Sequence, residues 1–231
     1  MLKARLVKRR THFTVDVEFE IASGGICGLF GVSGAGKSTI LSCIAGIEEP
    51  DGGRVALDNF SLFPSLMPLY RRPIGYLTQD ANLFPHLRVS DNVKFGVTRT
   101  QANDNAWMTE LRDRLELSQI WHSRTHNISG GQARRVALAR MLARKPSLVL
   151  LDEPFAGLDR HLVRELLAAI ADWQRRLNFT MIIVDHESDV LERLSSRALV
   201  IEEGRIVQDA SWNELRSNPA TPLLTQLLAP L

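Results

Sequence analysis

Phe13, Val15, Val17, Phe19 and Ile21 alternate with Thr14, Asp16, Glu18 and Glu20. A period of two predicts a half-buried strand of the kind found in antiparallel sheets. Ser23-Gly24-Gly25 turns the chain, and the next stretch, ICGLF (26–30), is apolar throughout, as in strands buried on both faces. A glycine-rich loop and a helix from about Lys37 to Ala45 come next. Asp51-Gly52-Gly53 turns into the strand RVALD, and IGYLT (74–78) reads as another. The apolar pattern returns in SLVLL (147–151) and TMIIV (180–184). Leu162, Leu166, Ile170, Trp173 and Leu177 share one face of a long helix. ESDVLERL predicts a short helix, and ALVIEEGRIV a hairpin turning at Glu203-Gly204. Ser211 and Glu214 predict a capping box at the start of a C-terminal helix.

The pattern changes between about 87 and 130. β-rich runs disappear, and Trp107, Met108, Leu111 and Leu115 stand at helical spacing. This predicts an inserted helical subdomain. Strands alternating with helices from 26 to 200 imply a mostly parallel sheet covered by helices.

Composition narrows the function classes. The chain has 231 residues, 45% hydrophobic, with a formal net charge of +2 and scattered charges, so no electrostatic case for nucleic acid arises. The basic run KARLVKRR near the N-terminus reads as a solvated strand edge. Cys27 and Cys43 lie in apolar stretches and are expected in the core of a protein from a reducing compartment. No signal peptide is visible, and no apolar stretch is long enough to cross a bilayer, so a membrane role is expected to come through a partner.

GVSGAGKS, comprising Gly31, Val32, Ser33, Gly34, Ala35, Gly36, Lys37 and Ser38, fits the phosphate-binding pattern G-x-x-x-x-G-K-[ST], and Thr39 follows it. It joins a predicted buried strand to a predicted helix, the context the motif requires. Glycines let successive N–H groups converge on phosphate oxygens, and the helix start adds partial positive charge. Lys37 brings a full charge to the β- and γ-phosphates, and the Ser38 hydroxyl is a Mg²⁺ ligand candidate. Asp152, at the C-terminal end of a buried strand, is a second candidate for the metal, directly or through water. Glu153 is then placed to polarise an attacking water. Gln79 ends the IGYLT strand, where its amide reaches either Mg²⁺ or that water. His186 follows TMIIVD at another strand end and is a candidate for bonding a γ-phosphate oxygen.

NISGGQ (127–132) poses a separate question. Ser129 and Gln132 form a capping box ahead of the helix ARRVALARMLARK. That explains neither Gly130 nor Gly131, since glycine inside a helix costs about 1 kcal/mol relative to alanine.

Taken in order, these residues resemble the ATPase subunit of an ABC transporter. GVSGAGKS is similar to its phosphate loop and LVLLDE to its Walker B strand; Gln79 is similar to the Q-loop glutamine. ISGGQ resembles the family signature, with Ile128 where leucine is common; AGLD (156–159) resembles the D-loop, and His186 the switch histidine. The resemblance covers roughly residues 1–215. FGVSGAGKS and RRPIGYLTQDANLFPHLRVSDNV resemble the importer branch, most nearly its molybdate-type ATPases, beside relatives serving sulfate, iron, polyamines or sugars.

The resemblance implies a single ABC ATPase domain over 1–231. Its fold class is α/β: a P-loop NTPase core with a mostly parallel sheet, an N-terminal antiparallel β subdomain and an inserted α-helical subdomain. It implies ATP and Mg²⁺, Glu153 as catalytic base, and a head-to-tail dimer of two copies around two ATP. Ser129, Gly130, Gly131 and Gln132 would then contact the other copy's nucleotide. It further implies an integral membrane permease docking on LFPHLRVSDNV (83–93), a solute-binding protein acting indirectly, and a peripheral place on the cytoplasmic face of the inner membrane. Export, lipid extraction and soluble non-transport ABC ATPases are the alternatives. Three departures stand out. The region of the usual adenine-stacking aromatic offers only His12 or Phe13. Asp185 stands where Ser or Thr more often precedes the histidine. No C-terminal regulatory domain is expected in this polypeptide.

Overall fold

The computed structural model describes residues 1–65, 67–98, 101 and 104–229. The strands form two sheets. The first is antiparallel, in the order β2-β1-β4-β5, from β1 (Leu2–Arg9), β2 (Thr14–Ile21), β4 (Gly52–Leu57) and β5 (Phe60–Phe63). The second has six strands: β3 (Ile26–Phe30), β6 (Ile74–Leu77), β7 (Leu148–Asp152), β8 (Thr180–Val184), β9 (Arg197–Glu202) and β10 (Arg205–Ser211). Their order is β10-β9-β3-β8-β7-β6, parallel from β9 to β6, with β10 added antiparallel as the second arm of a hairpin. The N-terminal antiparallel sheet and the parallel core correspond to the α/β class expected.

The fully apolar strands are explained by burial on both faces. Leu148 and Leu150 of β7 enter the core shared with the antiparallel sheet and with α1 (Lys37–Ala45). Val149 and Leu151 of the same strand enter the opposite core. There they meet α4 (Gly130–Ala143), α5 (Arg160–Leu177) and α6 (Ser188–Leu194), which follow α2 (Val89–Lys94) and α3 (Asn105–Arg114) in the chain. Ile182 and Ile183 of β8 divide in the same way. Strand pleating sends alternate side chains to opposite faces. Such a strand therefore needs an apolar residue at every position.

The periodic helices pack as their spacing requires. On α5, Leu162, Leu166, Ile170 and Trp173 are buried. Asp159 caps the helix by accepting from the N–H groups of His161 and Leu162, both at 3.0 Å. Trp107, Met108, Leu111 and Leu115 are all buried, and the Trp107 and Trp173 rings meet edge to face at 5.8 Å. Two short helices, α7 (Trp212–Ser217) and α8 (Pro222–Leu227), close the chain.

Two readings need correction. KARLVKRR is not a strand edge: β1 lies between β2 and β4 and pairs with both. Its Leu2, Ala4 and Leu6 face the core, while Lys3 faces Glu20 at 3.2 Å and Arg5 meets Asp16 and Glu18 of β2. The run carries charge because its solvent face is matched across strands, each such pair contributing roughly 0.2–1 kcal/mol. At Ser211, the hydroxyl accepts from the Glu214 N–H, but the Glu214 side chain is not seen reaching back, so only half of the capping box forms.

Candidate functional site

The phosphate loop runs from the end of β3 to the start of α1. Gly31 has φ 144°, and a Cβ there would come within 2.2 Å of the Ile201 carbonyl oxygen on the adjacent strand β9, so no side chain fits. Gly36 has φ 105° as it opens the helix, with Val15 and Phe13 atoms 3.0 and 3.1 Å from where a Cβ would be. Lys37 follows, largely buried, with Nζ donating to the carbonyls of Gly31 at 2.7 Å and Val32 at 2.8 Å. Burial pushes its pKa down, while Glu153 and Asp152 pull it back up.

Asp152 ends β7 and is buried. Burial pushes its carboxyl up, the Ser38 hydroxyl against it pulls it down, Glu153 raises it and Lys37 lowers it. Tyr76 of β6 also lies against it. Burial drives that phenol up to about 12, with Asp152 adding to the rise, so it stays a proton donor. The next residue, Glu153, leaves the strand with φ 48°. Its Oε2 accepts from Gln79 Nε2 at 3.3 Å.

Lys37, Gln79 and Glu153 line one cleft of about 260 Å³, with Asp152 and Tyr76 outside its lining. Ser33, Gly34 and Ser38 of the phosphate loop, Thr39, Phe13 and Arg10 also line it. His12 is not among the lining residues. A larger hollow of about 510 Å³ lies beyond the C-terminus of α1, beside Cys43, Glu48, Glu49 and Arg72. Its two carboxylates and the helix C-terminus outweigh the one cation, Arg72, so it is poorly suited to phosphate.

The cleft gathers part of the candidate set. Val32 and Ala35 belong to the loop wall: Ala35 N–H donates to the Val32 carbonyl at 3.3 Å, and Thr39 Oγ1 accepts from Arg10 Nη2 at 3.1 Å. His186 stands two residues beyond β8, exposed and outside the lining set, with Nδ1 3.6 Å from Oδ1 of buried Asp185. Ser129, Gly130, Gly131 and Gln132 also lie outside it. Ser129 Oγ accepts from the Gln132 N–H at 3.2 Å, and Gln132 Oε1 accepts from the Ser129 N–H at 2.9 Å, completing the capping box. Gly130 is exposed with nothing within 4 Å of a notional Cβ, while one at Gly131 would stand 3.0 Å from Leu158 Cδ2. An N-cap contributes about 1 kcal/mol. Two glycines withdraw up to about 1 kcal/mol each. Helix stability therefore does not account for the pair, and the start of α4 is exposed at Gly130 with open space where a side chain would be.

Sequence reasoning missed three residues. Arg10 was absorbed into the basic run, yet it borders the cleft and pairs with Glu48 at 2.7 Å. Tyr76 carried no signal apart from its place in an apolar strand. Arg134, on α4, donates to the carbonyls of both Glu153 and Gln79.

The sequence profile of the ABC transporter family matches residues 14–156, the stretch that holds every cleft residue except Arg10 and Phe13. The chain belongs to the ABC transporter family. It is an ATP-binding, ATP-hydrolysing cassette of the importer branch. A probable sulfate/thiosulfate import ATP-binding protein of Chlorella vulgaris is 37% identical over 215 residues, 92% of this chain and 90% of that protein. A thiamine import ATP-binding protein of Jannaschia sp. (strain CCS1) is 38% identical over 218 residues, 93% of this chain and 94% of that protein. A molybdenum import ATP-binding protein of Rhodopseudomonas palustris (strain HaA2) is 37% identical over 218 residues; these are 92% of this chain but only 58% of that longer protein. Among solved structures, a dimeric ATP-binding cassette in a post-hydrolysis state, bound to ADP and Pi, superposes with TM-score 0.82 at 25% identity, covering 91% of this chain and 98% of that one. No described helix is long and apolar enough to cross a membrane.

Proposed function

We propose that this ABC cassette drives import of a small solute, molybdate or another small ion, by closing as a head-to-tail dimer around two ATP. One observation carries the reading. Lys37, Ser38, Gln79 and Glu153 share a cleft, while the glycine-bearing start of α4 lies outside it with no helix-stability reason for its composition. A second copy would bring that helix start to the first copy's γ-phosphate and complete both sites.

In this reading Lys37 exchanges its two loop carbonyls for phosphate oxygens, and the N–H groups of residues 31–39 hold the remainder. Phe13, which lines the cleft, stacks on adenine. Ser38 and Asp152 fit a hard divalent cation, since one supplies a hydroxyl oxygen in the cleft and the other a buried carboxylate at the end of β7. With Gln79 within reach, they would hold Mg²⁺, which supplies charge neutralisation at the β- and γ-phosphates. Glu153 polarises the attacking water, Gln79 orients it, and His186 contacts the γ-phosphate once the dimer closes. Such transfer is mostly positioning and charge stabilisation, so closure both completes the site and performs the mechanical work.

The permease docks on residues 83–93. Asn92, fully buried, clamps that loop: its Oδ1 accepts from the Phe84 N–H at 2.9 Å and its Nδ2 donates to the Phe84 carbonyl at 3.2 Å. The Phe84 ring meets that of exposed Phe95 at a tilt of 42°, with centroids 4.2 Å apart. Docking there places the chain on the cytoplasmic face of the inner membrane, with a solute-binding protein acting through the permease.

The experiment is Glu153→Gln in the purified chain. With Mg-ATP it should elute as a dimer and hydrolyse ATP on the order of 10²–10⁴-fold more slowly, the usual range for loss of a general base. A monomer that turns ATP over at the normal rate overturns the reading.

A further inference from the structure

Arg134 lies just over one turn into α4. Its Nη1 donates to the Glu153 carbonyl and its Nη2 to the Gln79 carbonyl. The same two residues meet again through their side chains, Gln79 Nε2 to Glu153 Oε2 at 3.3 Å. One planar cation therefore spans the ends of β6 and β7 where the acid and the amide project. Glu153 sits at φ 48°, a left-handed conformation that is unfavourable for a non-glycine residue. Two main-chain anchors hold it there: its N–H donates to the Val184 carbonyl at 3.0 Å, and its carbonyl accepts from Arg134. Arg135, next on the helix, turns the other way. Its Nη1 donates to the Leu115 carbonyl and to Glu116 Oε2, both at 2.8 Å. Two consecutive arginines thus fasten α4 to the helical segment on one side and to the strand ends on the other.

We propose that Arg134 is a positioning residue for hydrolysis, fixing the register of Glu153 against Gln79 and tying both to the helix that begins at Ser129. The inference rests on the reading of Gln79 and Glu153 as site residues. When the start of α4 engages a second copy's nucleotide, any shift of the helix reaches this copy's own acid and amide through one guanidinium. Linkage makes that coupling reciprocal: the occupancy of one site biases the geometry of the other.

The test uses Arg134→Gln and Arg134→Lys in the full chain, with ATP affinity by calorimetry and steady-state turnover. Affinity should be unchanged and kcat lowered on the order of ten- to a hundredfold, as when catalytic groups are displaced slightly. Lysine should not restore it, because a point charge cannot span two carbonyls. Gln79→Ala combined with Arg134→Gln should lose no more turnover than the worse single variant, as for residues acting in one unit. Normal turnover by Arg134→Gln, rescue by lysine, or fully additive losses in the double variant would overturn the proposal. Failure of the underlying site reading shows separately, as full turnover by Gln79→Ala and Glu153→Gln with Arg134 intact.

Discussion

Gln79 Nε2 donates to Glu153 Oε2 at 3.3 Å, across the ends of two neighbouring parallel strands. The amide occupies one carboxylate oxygen and leaves the other free for a water. Replacing Gln79 by alanine keeps the acid but frees it to rotate. Turnover should fall roughly tenfold or more, with ATP affinity measured without Mg²⁺ left unchanged. Equal losses in affinity and turnover would mean that Gln79 contributes to binding and not to orientation.

Phe13 borders the cleft and His12 does not. Base–aromatic stacking is worth about 1–3 kcal/mol, so Phe13→Ala should weaken ATP at least several-fold, while His12→Ala should leave its affinity unaltered. Calorimetry on the two variants decides between them, and a loss confined to His12→Ala would reverse the assignment.

A Cβ at Gly131 would stand 3.0 Å from Leu158 Cδ2, the far end of a side chain, so a shift of a few tenths of an ångström there makes room for it. Gly131→Asp should therefore fold normally and bind ATP normally, yet place a carboxylate where a second copy's γ-phosphate would approach. The expected result is a monomer in Mg-ATP with turnover near background. An unfolded variant would show that the glycine serves the helix alone.

Asp185 is buried, and burial pushes its carboxyl above the ordinary carboxylate value; the charges bearing on it are His186, which lowers it, and Glu187, which raises it. The folded chain thus holds that proton more tightly than the unfolded chain. Between the ordinary value and the raised one, stability falls as pH rises, and above both the full penalty is present. Asn can still accept from the Glu187 N–H, which Asp185 Oδ1 meets at 3.0 Å. Asp185→Asn should raise the melting temperature at pH 7.5, each kcal/mol being worth about 2–4 °C at this chain length. The gain should vanish at acid pH. A gain independent of pH would assign the effect to packing.

What the sequence made legible follows from where information is local. β3, β7 and β8 read clearly because burial on both faces leaves no polar position, and α5 because one face repeats over four turns. The loop at 31–38 was legible because its glycines and Lys37 have few other uses in that order. The central place of β1 is hidden in the sequence because a run of charge overlies its two-residue period. Arg10 and Arg134 were not legible at all. Arg134 acts on backbone carbonyls, which every residue possesses, so no pattern of side chains marks its partners. Tyr76 looked like any aromatic in an apolar strand until β7 placed Asp152 beside it.

The division of β7 between two cores has a further consequence. Leu148 and Leu150 are anchored on one side and Val149 and Leu151 on the other, so neither core can loosen without releasing the strand that ends in Asp152. The amide protons of residues 148–152 should therefore exchange with solvent more slowly than those of the rim, approaching the rate set by global unfolding. Glu153 follows that strand directly, so its carboxylate projects from a segment anchored in both cores.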